Sequence, residues 1–311
     1  MFAFVALLFV LGLGFDLYFF GGEGYAPLPI GSLAALGIGS VSALVSYFSG
    51  ARAVLAATGA VPIERAAAES DADKLELRQF ENIVDEMAIA SGLPRPAVYV
   101  VPDEDLNAFA TGRGPEHASI AVTRGLLRTL NREELQGVVA HEMSHIKNLD
   151  IRVMTIVAAL VGAIALLSDW SSRGMRLGGS RRSSKGKNGG GAIGLVFLVI
   201  WIAAALLAPF MAQALAMMVS RRREYLADAS GAELTRNPMG LARALGKIES
   251  AASPTVAIKR GSAHLCITDP LGRRVNLKEG FWSDLFASHP PMSARISALE
   301  QMAFEGAGKI P

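Results

Sequence analysis

The chain has 311 residues, of which 51% are hydrophobic and 19% are charged, and its mean hydropathy is +0.35. The high hydrophobic content excludes intrinsic disorder. Soluble domains carry about 25% charged residues, so the lower charged fraction argues against a purely soluble protein. The 30 basic and 28 acidic residues nearly cancel, so we expect no nucleic-acid partner. The single cysteine, Cys266, excludes an internal disulfide and a cysteine-rich zinc site.

Residues 1–52 are predicted to form a transmembrane hairpin. The stretches 1–15 and 24–51 contain no charged residue, and each apolar segment is long enough for the roughly 20 residues that cross a bilayer. A cleaved signal peptide is the alternative for the first segment. It is disfavoured because a basic n-region is missing and a second apolar segment follows at once.

A second hydrophobic hairpin is predicted over residues 151–220. Its apolar stretches, 153–168 and 188–220, flank a basic, Gly- and Ser-rich loop at 171–191. The acidic loop between the first two segments should face outside, which places the chain after residue 52 in the cytoplasm. The basic loop would lie outside if both later stretches crossed the membrane, so the sequence leaves open whether this hairpin spans it.

Residues 53–150 and 221–311 are predicted to be two parts of one domain that is mainly α-helical with a small β-sheet. The runs 97–101 and 119–123 have strand composition. Asn131, with Glu134 three positions later, is typical of a capping box that opens a helix. The part after residue 220 has mostly helical periodicity.

The motif that carries chemistry is His141-Glu142-Met143-Ser144-His145, an H-E-x-x-H sequence. On a helix, positions i and i+4 lie on one face, so both imidazoles can bind one zinc ion. Glu142 then lies beside the metal and can take a proton from bound water. The alternative is a helix with two surface histidines and no metal.

A catalytic zinc site usually has three protein ligands and a water, so a third ligand is expected. Glu224, just past the second hairpin, is the best candidate, which gives one Zn²⁺ per chain. Asp228 lies one turn further on the same face and is expected to accept the remaining N–H of a ligand histidine. The alternative is an exposed helix whose acidic residues pair with Arg221, Arg222 and Arg223.

An ordered set of motifs over nearly the whole chain resembles the HtpX family of bacterial membrane zinc metallopeptidases, relatives of the CAAX prenyl proteases. Besides the two hairpins, the resemblance rests on these segments: Leu106-Asn107-Ala108-Phe109-Ala110, Ile120-Ala121-Val122-Thr123, His141–His145, Glu224-Tyr225-Leu226-Ala227-Asp228, Ala263-His264-Leu265, and His289-Pro290-Pro291 followed by Arg295-Ile296.

The resemblance implies an integral, multi-pass protein of the bacterial cytoplasmic (inner) membrane with a zincin-like (gluzincin) metallopeptidase domain facing the cytoplasm. It further implies an endopeptidase that acts in quality control and the stress response. Its expected partners are misfolded or damaged membrane proteins, other unfolded polypeptides and the lipid bilayer. The oligomeric state stays open, a homo-oligomer included.

Three further assignments complete the expected site. His289 is the candidate oxyanion donor, because His-Pro-Pro fixes a turn at a helix start and matches the family motif; a helix-entry turn without a catalytic task is the alternative. Ile120, Ala121 and Val122 are expected to pair with an extended substrate by strand addition. Asn107 is expected to bond to the substrate backbone.

Two rival functions are alternatives to this prediction. An intramembrane zinc protease would carry the motif within a membrane span, but here charged residues stand at both ends of the motif helix. A non-catalytic scaffold or holdase with a structural zinc would need a fourth protein ligand, commonly cysteine. The spare candidates are His117, His264 and Cys266, and none is spaced to join His141 and His145 obviously.

Overall fold

The structure, a computed structural model, describes residues 9, 30–69, 74–156, 221–251, 267 and 290–307. The chain divides into two compact units, and of the described residues those up to 49 belong to the first and those from 50 onward to the second. The loop 171–191 and most of both predicted hairpins lie outside the described residues. The domain boundaries 1–52, 53–150, 151–220 and 221–311 therefore stay predictions.

Helix α1 (Ile30–Ala57) is the most apolar of the helices that the structure describes. Within it, Ser32–Ala57 is the one segment of the described chain that is long and apolar enough to cross a membrane. Large side chains such as Leu33, Leu44 and Phe48 are exposed along it. Such an apolar surface is what a membrane-contacting helix presents. The first arm of the predicted hairpin lies outside the described residues, so the hairpin stays a prediction.

The second unit is mainly helical with one small sheet, as predicted. Its helices are α2 (Ile63–Glu69), α3 (Lys74–Ser91), α4 (Arg124–Thr129), α5 (Arg132–Lys147), α6 (Arg221–Thr235), α7 (Pro238–Ser250) and α8 (Met292–Ala307), and a short 3₁₀ helix covers Pro115–His117. Residues 150–156 are also helical. The strands are β1 (Val61–Pro62), β2 (Ala97–Val101), β3 (Ala108–Gly112) and β4 (Ala118–Thr123).

The sheet has the strand order β1-β2-β4-β3, so β4 is central and β3 is an edge strand within the described chain. Strand β4 runs parallel to β2, with Val98 opposite Ile120, and antiparallel to β3, with Ala110 opposite Ile120. The predicted strands at 97–101 and 119–123 are confirmed. Strand β3 was not predicted, because its sequence Ala-Phe-Ala-Thr-Gly has little β-branched content.

Helix α5 runs through the middle of this unit and packs against α3, α6 and α7. The predicted capping box at its start is present: Asn131 Oδ1 accepts from the backbone of Glu134, and the Glu134 carboxylate accepts from the backbone of Asn131. Nearly all side chains from Gly137 to Ile146 are buried. A helix that is capped and enclosed in this way is a rigid support for a site.

Two glycines allow the backbones of α5 and α7 to approach each other closely. A Cβ added to Gly137 would lie 2.8 Å from the backbone nitrogen of Leu241. A Cβ added to Gly240 would lie 2.8 Å from the backbone oxygen of Glu133. Real Cβ contacts are not this short, so the interface requires the absence of side chains at both positions.

The end of α5 has an unusual backbone conformation. Helix α5 ends at Lys147, and Leu149 adopts the left-handed conformation with φ 61°. The new helix that starts at residue 150 is bonded to the end of β3, since Thr155 Oγ1 lies 2.9 Å from Thr111 Oγ1 and accepts from the backbone of Gly112 at 2.9 Å. The motif helix and the following segment are therefore two helices joined by a tight turn.

We expect Gly137→Ala to lower the free energy of unfolding by about 1–3 kcal/mol, because the new methyl group overpacks the α5–α7 interface. The matched control is Gly246→Ala on α7, where an added Cβ meets no atom of another element within 4 Å. Gly246→Ala should raise the free energy of unfolding by about 0.5–1 kcal/mol, because alanine has a higher helix propensity than glycine. The thermal midpoints of the two variants in detergent test this, and equal midpoints would contradict the packing argument.

Candidate metal centre

Two histidines on the buried face of α5 point toward a common place. His141 is 1% exposed and His145 is 6% exposed. Their Nε2 atoms lie 3.2 Å apart, as the i, i+4 spacing of the motif led us to expect. The two imidazoles therefore present their Nε2 atoms to one small volume inside the protein.

Glu224 reaches the same volume from the first turn of α6. Its Oε2 lies 3.8 Å from His141 Nε2, and its Oε1 lies 3.6 Å from His145 Nε2. One ligand atom from each of the three residues lies within 4.8 Å of the others, and Glu224 is 1% exposed. The structure thus brings together the three residues predicted as metal ligands, although their role as ligands stays a prediction.

Helix α6 can come this close because Gly231 faces α5. A Cβ added to Gly231 would lie 3.0 Å from the backbone nitrogen of His141 and 3.3 Å from the carbonyl carbon of Ala140. Gly231 follows Glu224 by seven residues, about two helical turns, so both lie on one face of α6. Sequence reasoning missed this glycine, and its spacing from Glu224 was the signal that could have found it.

A carboxylate stands at the other ring nitrogen of each histidine. His141 Nδ1 lies 2.9 Å from Asp228 Oδ1, although the two atoms are not aligned for a hydrogen bond. His145 Nδ1 lies 3.2 Å from Asp150 Oδ2 and is hydrogen-bonded to it. A carboxylate at Nδ1 favours the proton on that nitrogen, which leaves Nε2 as an acceptor. Asp228 was predicted at this place, whereas Asp150 was missed.

The donor set fits a divalent metal ion. Two Nε2 acceptors and a carboxylate face one another across a buried space, an arrangement that is repulsive unless a proton or a cation lies between them. Two nitrogen ligands of a tetrahedral zinc ion, each about 2.0–2.1 Å from the metal, would lie about 3.3 Å apart. The observed Nε2–Nε2 separation of 3.2 Å agrees with that value.

Glu142, the central acid of the motif, is 2% exposed. Burial raises the pKa of its carboxyl to about 7, and the nearby charge of Glu224 acts in the same direction. His145, a backbone hydrogen bond from Ala110 and the charge of Arg295 oppose this rise in pKa. A carboxyl group with a pKa near 7 can both accept and donate a proton at neutral pH.

The two histidines have different electrostatic surroundings. Burial lowers the pKa of His141. Burial also opposes the charged form of His145, but the hydrogen bond to Asp150 and the charges of Glu224 and Glu142 outweigh it and raise that pKa to about 9. The carboxylates around His145 therefore make this side of the centre favourable for positive charge.

Arg295 of α8 is completely buried beside the centre. Its Nε and Nη2 donate to Asp228 Oδ2 and Oδ1 at 2.8 and 2.7 Å, and its Nη1 lies 3.5 Å from Glu224 Oε2. Although burial opposes it, this guanidinium lowers the pKa of Asp228 to about 2. Sequence reasoning assigned no task to Arg295, and its place six residues after His289 in the family motif was the available signal.

The residues predicted to bind substrate do not form an open docking strand. Ile120, Ala121 and Val122 are buried in β4, and both edges of that strand are already paired with β2 and β3. The expectation that these residues pair with a substrate is therefore wrong, because their backbone groups belong to the sheet.

The other two assignments, Asn107 and His289, are not tested by the structure. Asn107 is buried, and its Oδ1 accepts a hydrogen bond from the backbone of Ala108 at 3.0 Å. A bond from Asn107 to a substrate backbone stays a prediction. His289 lies outside the described residues, so its role as oxyanion donor also stays a prediction.

Comparison with known proteins gives consistent findings. Residues 74–303 match Peptidase family M48. A "Protease HtpX homolog" of Thermoanaerobacter pseudethanolicus is 43% identical over 83% of this chain and 80% of the relative, and one of Streptococcus gordonii is 41% identical over 88% and 86%. A relative of the same name from Tropheryma whipplei is 44% identical over 84% of this chain and 81% of the relative.

Among solved structures, the chain is similar to the crystal structure of S. mikatae Ste24p, with a TM-score of 0.50 and 17% identity. The match covers 96% of this chain but 63% of the Ste24p chain, so this protein spans less than two thirds of that neighbour. At this identity the likeness shows the fold alone. The family match and the three relatives show more: the chain belongs to Peptidase family M48 and is a metallopeptidase.

Proposed function

We propose that this protein is a membrane-bound zinc endopeptidase that hydrolyses peptide bonds of misfolded or damaged membrane proteins on the cytoplasmic side of the bacterial inner membrane. The observation that carries the proposal is the buried convergence of His141, His145 and Glu224 beside the carboxyl of Glu142. Two imidazoles and one carboxylate are a common protein ligand set of catalytic zinc. When bound there, zinc polarises a substrate carbonyl and lowers the pKa of a bound water.

Glu142 is the group that moves the proton. Its carboxylate takes a proton from the attacking water and then delivers it to the nitrogen of the departing amine. Glu142 is thereby returned to its ionised form at the end of the reaction. A pKa of about 7 suits both transfers. The backbone of Ala110 in β3 favours the ionised form of this carboxylate and so opposes the rise in its pKa.

The substrate is proposed to bind along the outer edge of β3. Within the described chain β3 is an edge strand and packs against α5, and the backbone of Ala110 reaches Glu142. An extended peptide that adds to this edge brings its main chain next to the proton-transfer group. On this edge the carbonyl of Ala108 accepts a hydrogen bond from Ile267 and the N–H of Gly112 donates one to Thr155, so the substrate is proposed to bind between these two positions.

The membrane location is supported by α1, whose apolar surface is suited to lipid. The cytoplasmic orientation rests on the absence of basic residues from the first loop and their presence after residue 52. The choice of damaged membrane proteins as substrates rests on the resemblance of the motifs. Multi-pass topology belongs to this proposal as well.

The scaffold with a structural zinc is less well supported. Structural sites are usually closed by four protein ligands, whereas the group found in the described chain contains three. A site with three protein ligands leaves a place for water, which is the arrangement that hydrolysis needs. A buried carboxyl such as Glu142, whose pKa responds to the charges of Glu224 and His145, has no task in a structural site.

We expect Glu142→Gln to keep its zinc and to lose peptidase activity by about 10²–10⁴-fold, because only the proton carrier is removed. Cleavage of a detergent-unfolded protein, with zinc content measured on the same sample, tests this. The matched control is Glu133→Gln on the same helix, where the side chain is exposed and pairs with Arg243. Wild-type turnover in the Glu142 variant would refute the assignment.

We expect Glu224→Ala to lower the zinc content of the purified protein, because one of three buried ligands is lost. Glu233→Ala is the control, since Glu233 is an exposed residue of the same helix. Metal analysis of both variants after dialysis against a weak chelator is the measurement. A full zinc complement in the Glu224 variant would mean that another residue is the third ligand.

We expect cleavage in cytoplasmic loops and exposed ends close to the bilayer. The reason is that segment 151–220 begins and ends near the proposed metal centre. Asp150, just before the segment, is bonded to His145, and Glu224 lies four positions after its end. Mass spectrometry of the fragments of a membrane substrate locates the cut sites. Cuts clustered in the middle of transmembrane segments would support an intramembrane protease instead.

A further inference from the structure

An ion pair joins Asp150, which directly precedes the long segment 151–220, to Arg223, which lies three positions after its end. Asp150 Oδ1 lies 3.2 Å from Arg223 Nη1. The aspartate side chain is 9% exposed and the arginine side chain 43% exposed. Neither residue belongs to the ligand set, and the mechanism above uses neither of them.

The turn after α5 brings Asp150 back to the metal centre. In an uninterrupted helix, the fifth residue after His145 would lie about 140° around the axis and point away from it. Leu149, two residues after the end of α5, has the left-handed conformation with φ 61°, which interrupts the helical path. Asp150 Oδ2 can then accept a hydrogen bond from His145 Nδ1 at 3.2 Å. A bulky residue rarely adopts this conformation, so the turn stores strain where it positions a functional side chain.

The two oxygens of Asp150 have different partners. Oδ2 holds His145, while Oδ1 holds Arg223, which directly precedes Glu224 on α6. One carboxylate thereby links the α5 histidine to the turn of α6 that supplies the third ligand. On the other side of the centre, Asp228 Oδ1 faces both Arg295 Nη2, which donates to it, and His141 Nδ1, which is not aligned for a hydrogen bond.

We infer that Asp150, held by Arg223, is the positioning residue that orients His145 for the metal. The inference rests on the metal site proposed above. It assigns Arg223 an indirect role, in which its guanidinium fixes the carboxylate that in turn fixes the imidazole. The Arg223 side chain is more exposed than that of Asp150 and acts on His145 only through Asp150. The contribution of Arg223 is therefore smaller than that of Asp150.

The test uses the full-length protein in detergent micelles and measures zinc affinity by competition with a chromophoric chelator. Asp150→Ala should bind zinc about 10–100-fold more weakly, and Asp150→Asn, which keeps the shape and one acceptor, should lose less. Arg223→Ala should show a smaller loss than Asp150→Ala, and Arg223→Lys should restore part of it. Two control variants should have the zinc affinity of the wild type. Arg222→Ala changes an exposed neighbour of Arg223, and Asp85→Asn changes a surface ion-pair partner of Arg95.

A second readout separates positioning from simple stabilisation of the fold. The visible absorption of the cobalt-substituted protein reports ligand geometry, so it should change in the Asp150 variants and stay unchanged in the two controls. The thermal midpoint of the metal-free protein reports the fold. Lower midpoints with wild-type zinc affinity and an unchanged cobalt spectrum would overturn the inference and leave the proposed function intact. A wild-type protein that binds no zinc would overturn both.

Discussion

The contact between α5 and α6 is the constraint on which the metal centre depends. Gly231 lets the two backbones approach, since even a Cβ at this position would come within 3.0 Å of the His141 nitrogen. Glu224, Asp228 and Gly231 are spaced by four and three residues, so one face of α6 carries all of them. A displacement of α6 would therefore move a ligand and the carboxylate next to His141 together.

The second constraint is electrostatic. Buried carboxylates and imidazoles are costly unless charges of opposite sign compensate them. Arg295 neutralises Asp228 through two hydrogen bonds and also lies near Glu224, while Arg223 pairs with Asp150 at the more exposed side. With a metal ion bound, the convergent Nε2 atoms and the Glu224 carboxylate are compensated as well. The centre thus combines metal-facing donors with charge pairs that hold each donor in its orientation.

The sequence predicted the parts of this centre that depend on local spacing. The i, i+4 histidines place both rings on one helical face, and Asn131 with Glu134 marks the start of that helix correctly. Glu224 and Asp228 could be selected because their spacing on α6 suits a ligand and its neighbour. These residues are brought together in the structure as their spacing suggested.

What the sequence did not predict depends on contacts between distant segments or on unusual backbone geometry. Arg295 and Asp150 acquire their tasks only when α8 and the turn at Leu149 bring them to the histidines. The choice of Ile120, Ala121 and Val122 as a docking strand was wrong, because strand order depends on pairing that a single strand sequence does not encode. The edge strand next to α5 is instead β3.

The central claim is that two imidazoles and one carboxylate hold a zinc ion with room for water. X-ray absorption spectroscopy of the purified, zinc-loaded protein at the zinc edge tests it most directly. The account predicts about four nitrogen and oxygen ligands at about 2.0–2.1 Å, with multiple-scattering features of two imidazoles. A sulfur ligand at about 2.3 Å, which only Cys266 or a methionine could supply, or an imidazole count other than two, would contradict it.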